Sequence, residues 1–371
     1  MKNFGFSFVS YWGDQIEDIP CQHTIFLPDL VLALDKLGYK VYSMQEDLDK
    51  GKPRFQNYKV EERQKTYNMI EFTDTFPELD ILLIEWRWKI PGRNWYRDGI
   101  DTSGLFPPMM DYIRQTQLLD HYTNTNTKVF ILDTDYKLTK EDEEKYPTAI
   151  LLDLATNSKQ LSRPRHGVFW PFNMDQLKER EYLVHAPYSF DQDNTYSLDP
   201  TYFLSYIGND YERDAQFEKY IHQIAKKLPF GMVHVYGNWI KYPKKAQENW
   251  KKYFPIVFHP KVTKAHMEYI YSRSYCVPLL AKDDYAKHGQ IAYRYLESMY
   301  NGTIPVGFKE FCGIEKYLIP ELIVGTTDEF MVLIEKLDQQ THQERINLWK
   351  KQVNHFHYNA EEFVHELERL S

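Results

Sequence analysis

RYLESMYNGTIPVGF, residues 294–308, carries a helix into a strand through a single Asn-Gly turn. Ala292, Tyr293, Leu296 and then Met299 or Tyr300 recur at three- and four-residue spacing, which predicts one apolar helical face. Gly302 suits the left-handed residue that ends a helix, and 303–308 then reads as a short strand. Arg294 and Glu297 sit one turn apart just ahead of this turn. They can pair with each other on a solvated face, because residues three apart on a helix are neighbours. Alternatively, Glu297 is a carboxylate kept for a ligand.

The same helix-to-strand step recurs on both sides. Upstream, NFGFSFVSYW, YKVYSM, LDILLIEW, KVFILDTD and TAILLDLA read as strands, separated by the helices FLPDLVLALDKLG and MMDYIRQTQLLDHY. A polar stretch from about 173 to 200, rich in Tyr and Asp, then breaks the pattern and reads as a linker. Alternation resumes with YFLSYIGN, MVHVYGN, YCVPLLA and the 303–308 strand, and the chain closes on one or two amphipathic helices within QERINLWKKQVNHFHYNAEEFVHELERL. Near-continuous apolar strands between amphipathic helices indicate parallel sheets covered on both faces. The expectation is an α/β protein of two Rossmann-like doubly wound domains facing a cleft. An N-terminal domain spans 1–180, a second spans 181–340, and helices at 341–371 follow. Such sheets bind ligands at the carboxyl ends of their strands.

Composition narrows the class. The 371 residues suffice for two ordinary domains, and 43% hydrophobic with 16% aromatic content is that of a globular chain. No apolar run approaches the roughly 20 residues that span a bilayer. Cys21, Cys276 and Cys312 are too far apart for a zinc site or a disulfide framework, so a reducing, cytoplasmic setting is expected. A formal charge of −8 argues against coating nucleic acid by bulk electrostatics, but leaves room for a local basic groove.

LESMYNGTIPV resembles the two-domain GT-B glycosyltransferases at Glu297, Gly302, Pro305 and Val306. In that family a Glu near the end of such a helix binds the ribose of a sugar nucleotide. Many retaining members carry a second acid eight positions earlier; here that position is Gly289. The LE…GTIPV block, VYGN at 235–238, Asp135 and YIGNDYERDAQFEKY are also similar to the DNA α-glucosyltransferases of T-even phages. The resemblance implies a nucleotide diphosphate sugar as donor, UDP-glucose or similar. As acceptor it implies DNA containing hydroxymethylated pyrimidine, with a surface glycan, teichoic acid or protein hydroxyl as the alternative. A non-catalytic binding module, favoured by Gly289, is the rival from another class.

The donor-side candidates follow from chemistry as well as likeness. Gly208 and Asn209 end a strand ahead of Arg213, where main-chain N–H groups and a guanidinium suit a diphosphate; an ordinary loop is the competing reading. Lys282 and His288 are further candidates for the leaving phosphate, while Tyr236 and Gly237 end the neighbouring strand. Arg294, Gly302 and Thr303 complete the set around Glu297, whose two oxygens can accept both protons of a ribose diol. On the acceptor side, Asp135 is the candidate for deprotonating a hydroxyl or steadying charge on the sugar, with Asp133 beside it. Asp133-Thr134-Asp135 also has the spacing of a divalent-metal motif, a pattern common by chance; no metal is required and its use stays open. EWRWKIPGRNWYRDG at 85–99 interleaves Arg87, Lys89, Arg93 and Arg97 with Trp95 and other aromatics, as a loop gripping DNA around an unstacked base would. Packed tryptophans with snorkelling arginines are the plainer alternative. The basic runs 163–167 and 241–253 can extend such a groove or simply face solvent.

Overall fold

The structure, a computed structural model, describes residues 2–8, 23–44, 68–86, 96–97, 100–101, 107–184, 202–210, 212–240, 242–262 and 264–371. The chain divides into two compact units. Unit 1 is Met1–Asn173 with Tyr358–Ser371, and unit 2 is Met174–His357.

Unit 1 is built on strands β1 (Lys2–Ser7), β2 (Tyr39–Ser43), β3 (Ile70–Phe72), β4 (Ile81–Glu85), β7 (Lys128–Leu132), β8 (Ile150–Asp153) and β9 (Arg165–Gly167). A separate two-stranded hairpin pairs β5 (Tyr96–Arg97) with β6 (Ile100–Asp101). The main sheet has the order β3-β2-β1-β4-β7-β8-β9, and every pair is parallel. All five residues of β4 are buried, which is why its sequence is continuously apolar up to Glu85. Strands β3 and β9 were not legible as strands: each has three residues and partly exposed positions at a sheet edge.

Within the basic run 163–167, Pro164, His166 and Gly167 face solvent, but the two arginines are turned inward, which corrects the surface reading for them. Arg165, 4% exposed, bonds Asp133 (Nη1 to Oδ2, 2.9 Å) and Glu143 (Nη2 to Oε1, 2.9 Å). Arg163 donates to the carbonyls of Glu143, Tyr146 and Ala149. Burial pushes Asp133 up, against the pull of Arg165 and of the Lys137 and Leu138 N–H groups. Burial also opposes charge on Glu143, but hydrogen bonds from Ser162 and Arg165 hold its pKa below the ordinary value. Removing Arg165 alone would leave two buried carboxylates uncompensated.

The last helix, Ala360–Leu370, completes unit 1. Asn359 caps it reciprocally with Glu362, and its apolar face, Phe363, Val364 and Leu367, packs against helix His23–Lys36. Lys36 pairs with Glu361 (2.6 Å), while Glu368 takes bonds from Lys2 Nζ and the Tyr39 hydroxyl, each at 2.7 Å.

Unit 2 repeats the doubly wound plan with β10 (Tyr202–Ile207), β11 (Val233–Tyr236), β12 (Val257–His259), β13 (Ser274–Pro278), β14 (Ile304–Phe308) and β15 (Ile323–Val324). Their order is β12-β11-β10-β13-β14-β15, again all parallel. The order reverses between β10 and β13, where sheets of this kind hold ligands. No helix among the described residues is long and apolar enough to cross a membrane.

The hydrogen bonds from Lys2 and Tyr39 draw Glu368 from its ordinary 4.5 down to about 2. A depressed carboxylate stabilises the fold above its unfolded pKa, and the effect fades as pH falls through the folded one. The stability gap between wild type and Glu368→Gln is therefore expected to be constant above pH 4.5 and to close towards pH 2. It should not exceed about 1 kcal/mol, because the pair is partly exposed. Denaturant titrations across this range measure it, and a gap that widens in acid would contradict the assignment.

Candidate functional site

β10 ends at Ile207, and Gly208 turns the chain beneath the end of β11. Gly208 N donates to Tyr236 O (2.9 Å), and Trp239 Nε1 donates to Gly208 O (2.8 Å). Gly237 has φ +140°, and a Cβ there would lie 2.3 Å from Gly208 O. Glycine is thus required at 237 by both backbone and space. A Cβ on Gly208 would meet Arg294 Nη2 at 2.3 Å. The two strand-end loops and the helix Arg294–Tyr300 converge on one point.

Arg294 does not pair with Glu297. Its Nε donates to the Ile207 carbonyl (2.7 Å), and the guanidinium lies 4.6 Å from the Tyr206 ring centre. Arg294 Nη1 and the Tyr206 hydroxyl are buried without a hydrogen-bond partner among the described residues, and the Tyr271 hydroxyl faces the same guanidinium. The half-buried Glu297 carboxylate likewise makes no hydrogen bond or ion pair with any described residue; only its main chain is used, the N–H by the Tyr293 carbonyl and the carbonyl by Asn301. Burial raises Glu297 above its ordinary 4.5, with the Arg294 charge pulling the other way. Burial, reinforced by the Glu297 charge, pushes Tyr271 up, and although burial opposes the charge on Arg294, Tyr206, Tyr271 and Glu297 together secure it. Buried polar groups left unmatched are costly and call for an explanation, and a polar ligand supplies one. Tyr206 and Tyr271 escaped the sequence reading because each looks like an ordinary apolar strand or helix position.

The remaining donor-side residues lie at the same edge of the sheet. Arg213 Nη1 donates to Asn209 O (3.1 Å). Half-buried Lys282 precedes helix Asp283–His288 and lies 3.5 Å from Glu212. Gln216 Oε1 accepts from Ala281 N (2.8 Å), tying the segment after Arg213 to the one before Lys282. His288 is 3.7 Å from Asp284. Gly289, the position of the missing second acid, is left-handed (φ +69°) and caps that helix. Tyr236 is buried and stacked on His259 (ring centres 4.3 Å apart). Gly302 (φ +75°) ends its helix where a Cβ would strike the Leu183 backbone at 2.4 Å, and the Thr303 hydroxyl is buried on the Tyr271 carbonyl. These three positions shape the core around the site.

In unit 1, Asp133 is taken up by Arg165 and by Lys137 N and Leu138 N, so both its oxygens are occupied and it is withdrawn as a reacting group. Asp135 is half-buried in the turn that follows β7. Among the described residues no group of three or more His, Cys, Asp or Glu is placed to hold a metal ion. Trp86 is buried in the unit 1 core, as the plainer reading of the 85–99 stretch has it. Arg87, Lys89, Arg93 and Trp95 lie outside the described residues, as does the side chain of Arg97.

No family model and no curated protein sequence matches the chain. Solved structures do match it. An α-glucosyltransferase in complex with UDP and a 13-mer DNA containing an HMU base is 13% identical with TM-score 0.59, covering 99% of this chain and 98% of that one. T4 phage BGT in complex with its UDP-glucose substrate is 12% identical with TM-score 0.56, covering 95% and 94%. A Thermobaculum terrenum O-GlcNAc transferase is 12% identical with TM-score 0.50; the match covers all of this chain but 66% of that one. The fold is the GT-B fold of these glycosyltransferases.

The raised pKa of Glu297 has a measurable sign. Between pH 4.5 and the higher folded value, the folded state keeps a proton that the unfolded state releases, so stability falls as pH rises. Glu297→Gln is expected to match wild type below pH 4.5 and to be the more stable protein at neutral pH. Chemical denaturation of ligand-free protein at both pH values tests this; a less stable variant at neutral pH would assign the carboxylate a structural role.

Proposed function

We propose that the chain is a glycosyltransferase whose donor is a nucleoside diphosphate sugar, UDP-glucose or a close relative, bound by unit 2. The observation that carries this reading is the Glu297 carboxylate, free of any partner among the described residues, on a GT-B fold. Its two oxygens accept the two hydroxyl protons of the ribose, which are charge-assisted bonds. Arg213 and Lys282, with the main chain at Gly208 and Asn209, hold the diphosphate. As the acceptor oxygen bonds to the anomeric carbon, the bond from that carbon to the β-phosphate oxygen breaks. The charge that develops on UDP is then met by fixed cations and N–H dipoles. Asp135 in unit 1 takes the acceptor hydroxyl proton.

The favoured acceptor is a 5-hydroxymethylpyrimidine in DNA. It is supported by the 85–99 sequence and by neighbours described with UDP-glucose and with HMU-containing DNA. A glycan or protein hydroxyl is the second enzymatic reading. Gly289, an acid in many retaining relatives, favours a module that binds without reacting. Incubation with a panel of sugar nucleotides and hydroxymethylated DNA, followed by digestion to nucleosides and mass spectrometry, separates the three. Sugar-nucleotide hydrolysis without transfer would leave the enzyme and remove the DNA.

Glu297→Gln and Glu297→Ala should lose about 1.5–3 kcal/mol of UDP binding, roughly ten- to hundredfold in affinity. Wild-type affinity should also weaken as pH falls, beginning above the ordinary carboxylate value because Glu297 is raised, and Glu297→Gln should lack this limb. Arg213→Ala should weaken UDP much more than uridine. Calorimetry decides both, and equal losses for the two ligands would move Arg213 out of the diphosphate site.

For the DNA reading, replacing Arg93 and Arg97 with Ala should leave UDP binding intact. The slope of log affinity against log salt on duplex DNA should become shallower by roughly 0.9 for each phosphate no longer neutralised. Trp95→Ala should lower turnover with little change in slope. A wild-type protein that neither binds nor modifies hydroxymethylated duplex at low salt would leave the glycan acceptor as the working reading.

A further inference from the structure

The opposite edge of the unit 2 sheet carries a surface that the proposed donor site does not use. Phe230 lies three residues before β11 and Phe254 three residues before β12, and these strands pair in register with His234 opposite Val257. The two phenyl rings therefore project from adjacent loops at the amino ends of the strands, whereas Gly208 and Gly237 lie at the carboxyl ends. Phe230 is 68% exposed and Phe254 67%, and they stack on each other with centres 6.0 Å apart. Trp250, 52% exposed, stands one helical turn before Phe254. The Phe254 loop is tied down from inside, where its carbonyl lies 3.3 Å from His222 Nε2.

Two lysines adjoin these rings. Lys226 lies four residues before Phe230 and Lys251 three residues before Phe254, and both are exposed. Their neighbours Lys227 and Lys252 are engaged by Asp328 and Glu218, while Lys226 and Lys251 make no ion pair with any described residue. This local cation excess sits on a chain of formal charge −8.

We propose that this edge docks on an anionic lipid surface, with Phe230 and Phe254 entering the headgroup–acyl boundary and the free lysines lying over the headgroups. Three features select this occupant. A phenyl ring has no polar atom to satisfy, so what it gains on contact is removal from water. The two rings stand side by side at one edge, each about two-thirds exposed, so they enter an apolar medium together while the lysines beside them meet its anionic surface. A second copy of the chain, docked about a two-fold axis, would set lysine against lysine. The inference is independent of the proposed transfer reaction, since no residue of the donor site takes part.

The test is co-sedimentation of the full chain with vesicles of phosphatidylglycerol and phosphatidylcholine in equal parts, against phosphatidylcholine alone. Wild type should sediment with the mixed vesicles at low salt and be released by high salt. Lys226→Glu and Lys251→Glu should each weaken binding roughly fivefold or more. Phe230→Ser with Phe254→Ser should weaken it roughly tenfold or more. These side chains are exposed, so circular dichroism and UDP binding should match wild type. Failure of wild type to sediment, or a double Phe variant that sediments as wild type does, overturns the proposal. So does loss of single-stranded oligonucleotide binding in that variant with vesicle binding intact.

Discussion

One hydrogen bond organises the site: Arg294 Nε to the Ile207 carbonyl. It fastens the start of a helix to the end of the first strand of unit 2, and the neighbouring residues are what that contact permits. Gly208 has no side chain because the guanidinium occupies the space, and Gly237 has none because Gly208 does. Arg294 is drawn towards the strand end and away from its own helix, so Glu297, one turn on, loses the partner its spacing suggests. The Tyr206 and Tyr271 hydroxyls, buried around the same guanidinium, keep its charge in place, and the Tyr206 hydroxyl stays unmatched. Binding capacity here results from a polar cluster left incomplete by a structural bond.

Three glutamates show how far environment governs one functional group. Glu143 is buried, yet Ser162 and Arg165 hold it ionised below its ordinary range. Glu368 sits at the surface of unit 1 with Lys2 and Tyr39 and is depressed to about 2. Glu297 alone is pushed upward, because burial removes water and no donor replaces it. A carboxylate that costs the fold something in its charged form is the one whose retention points to a ligand.

The alternation of apolar strands and amphipathic helices was enough to read two doubly wound units, because strands buried on both faces must be apolar throughout. Short edge strands carry no such signature, which is why 70–72 and 165–167 were missed. Arg165 in the basic run 163–167 misled for a different reason. Its carboxylate partners lie 22 and 32 residues earlier, and only the folded chain brings them to Arg165. The Glu297 helix, its Gly302 cap and the strand beyond were legible from local spacing. Whether Arg294 answered Glu297 was not, since the answer depended on a carbonyl 87 residues away. Gly289, which breaks the family's two-acid pattern, has a local cause: a left-handed helix end there favours a residue without a Cβ.

The helix Ala360–Leu370 belongs to unit 1, although all of unit 2 is encoded between it and the rest of that unit. During synthesis the chain therefore passes through a long interval in which its first sheet has emerged but helix His23–Lys36 still lacks the apolar face that covers it. Domains generally fold as the ribosome delivers them, amino-terminal first. Here unit 2 has its complete sequence while unit 1 still waits for Tyr358–Ser371. A ribosome that stalls or stops shortly before Phe363 would release a chain with a finished second unit and an uncovered first, a natural target for chaperones and proteases.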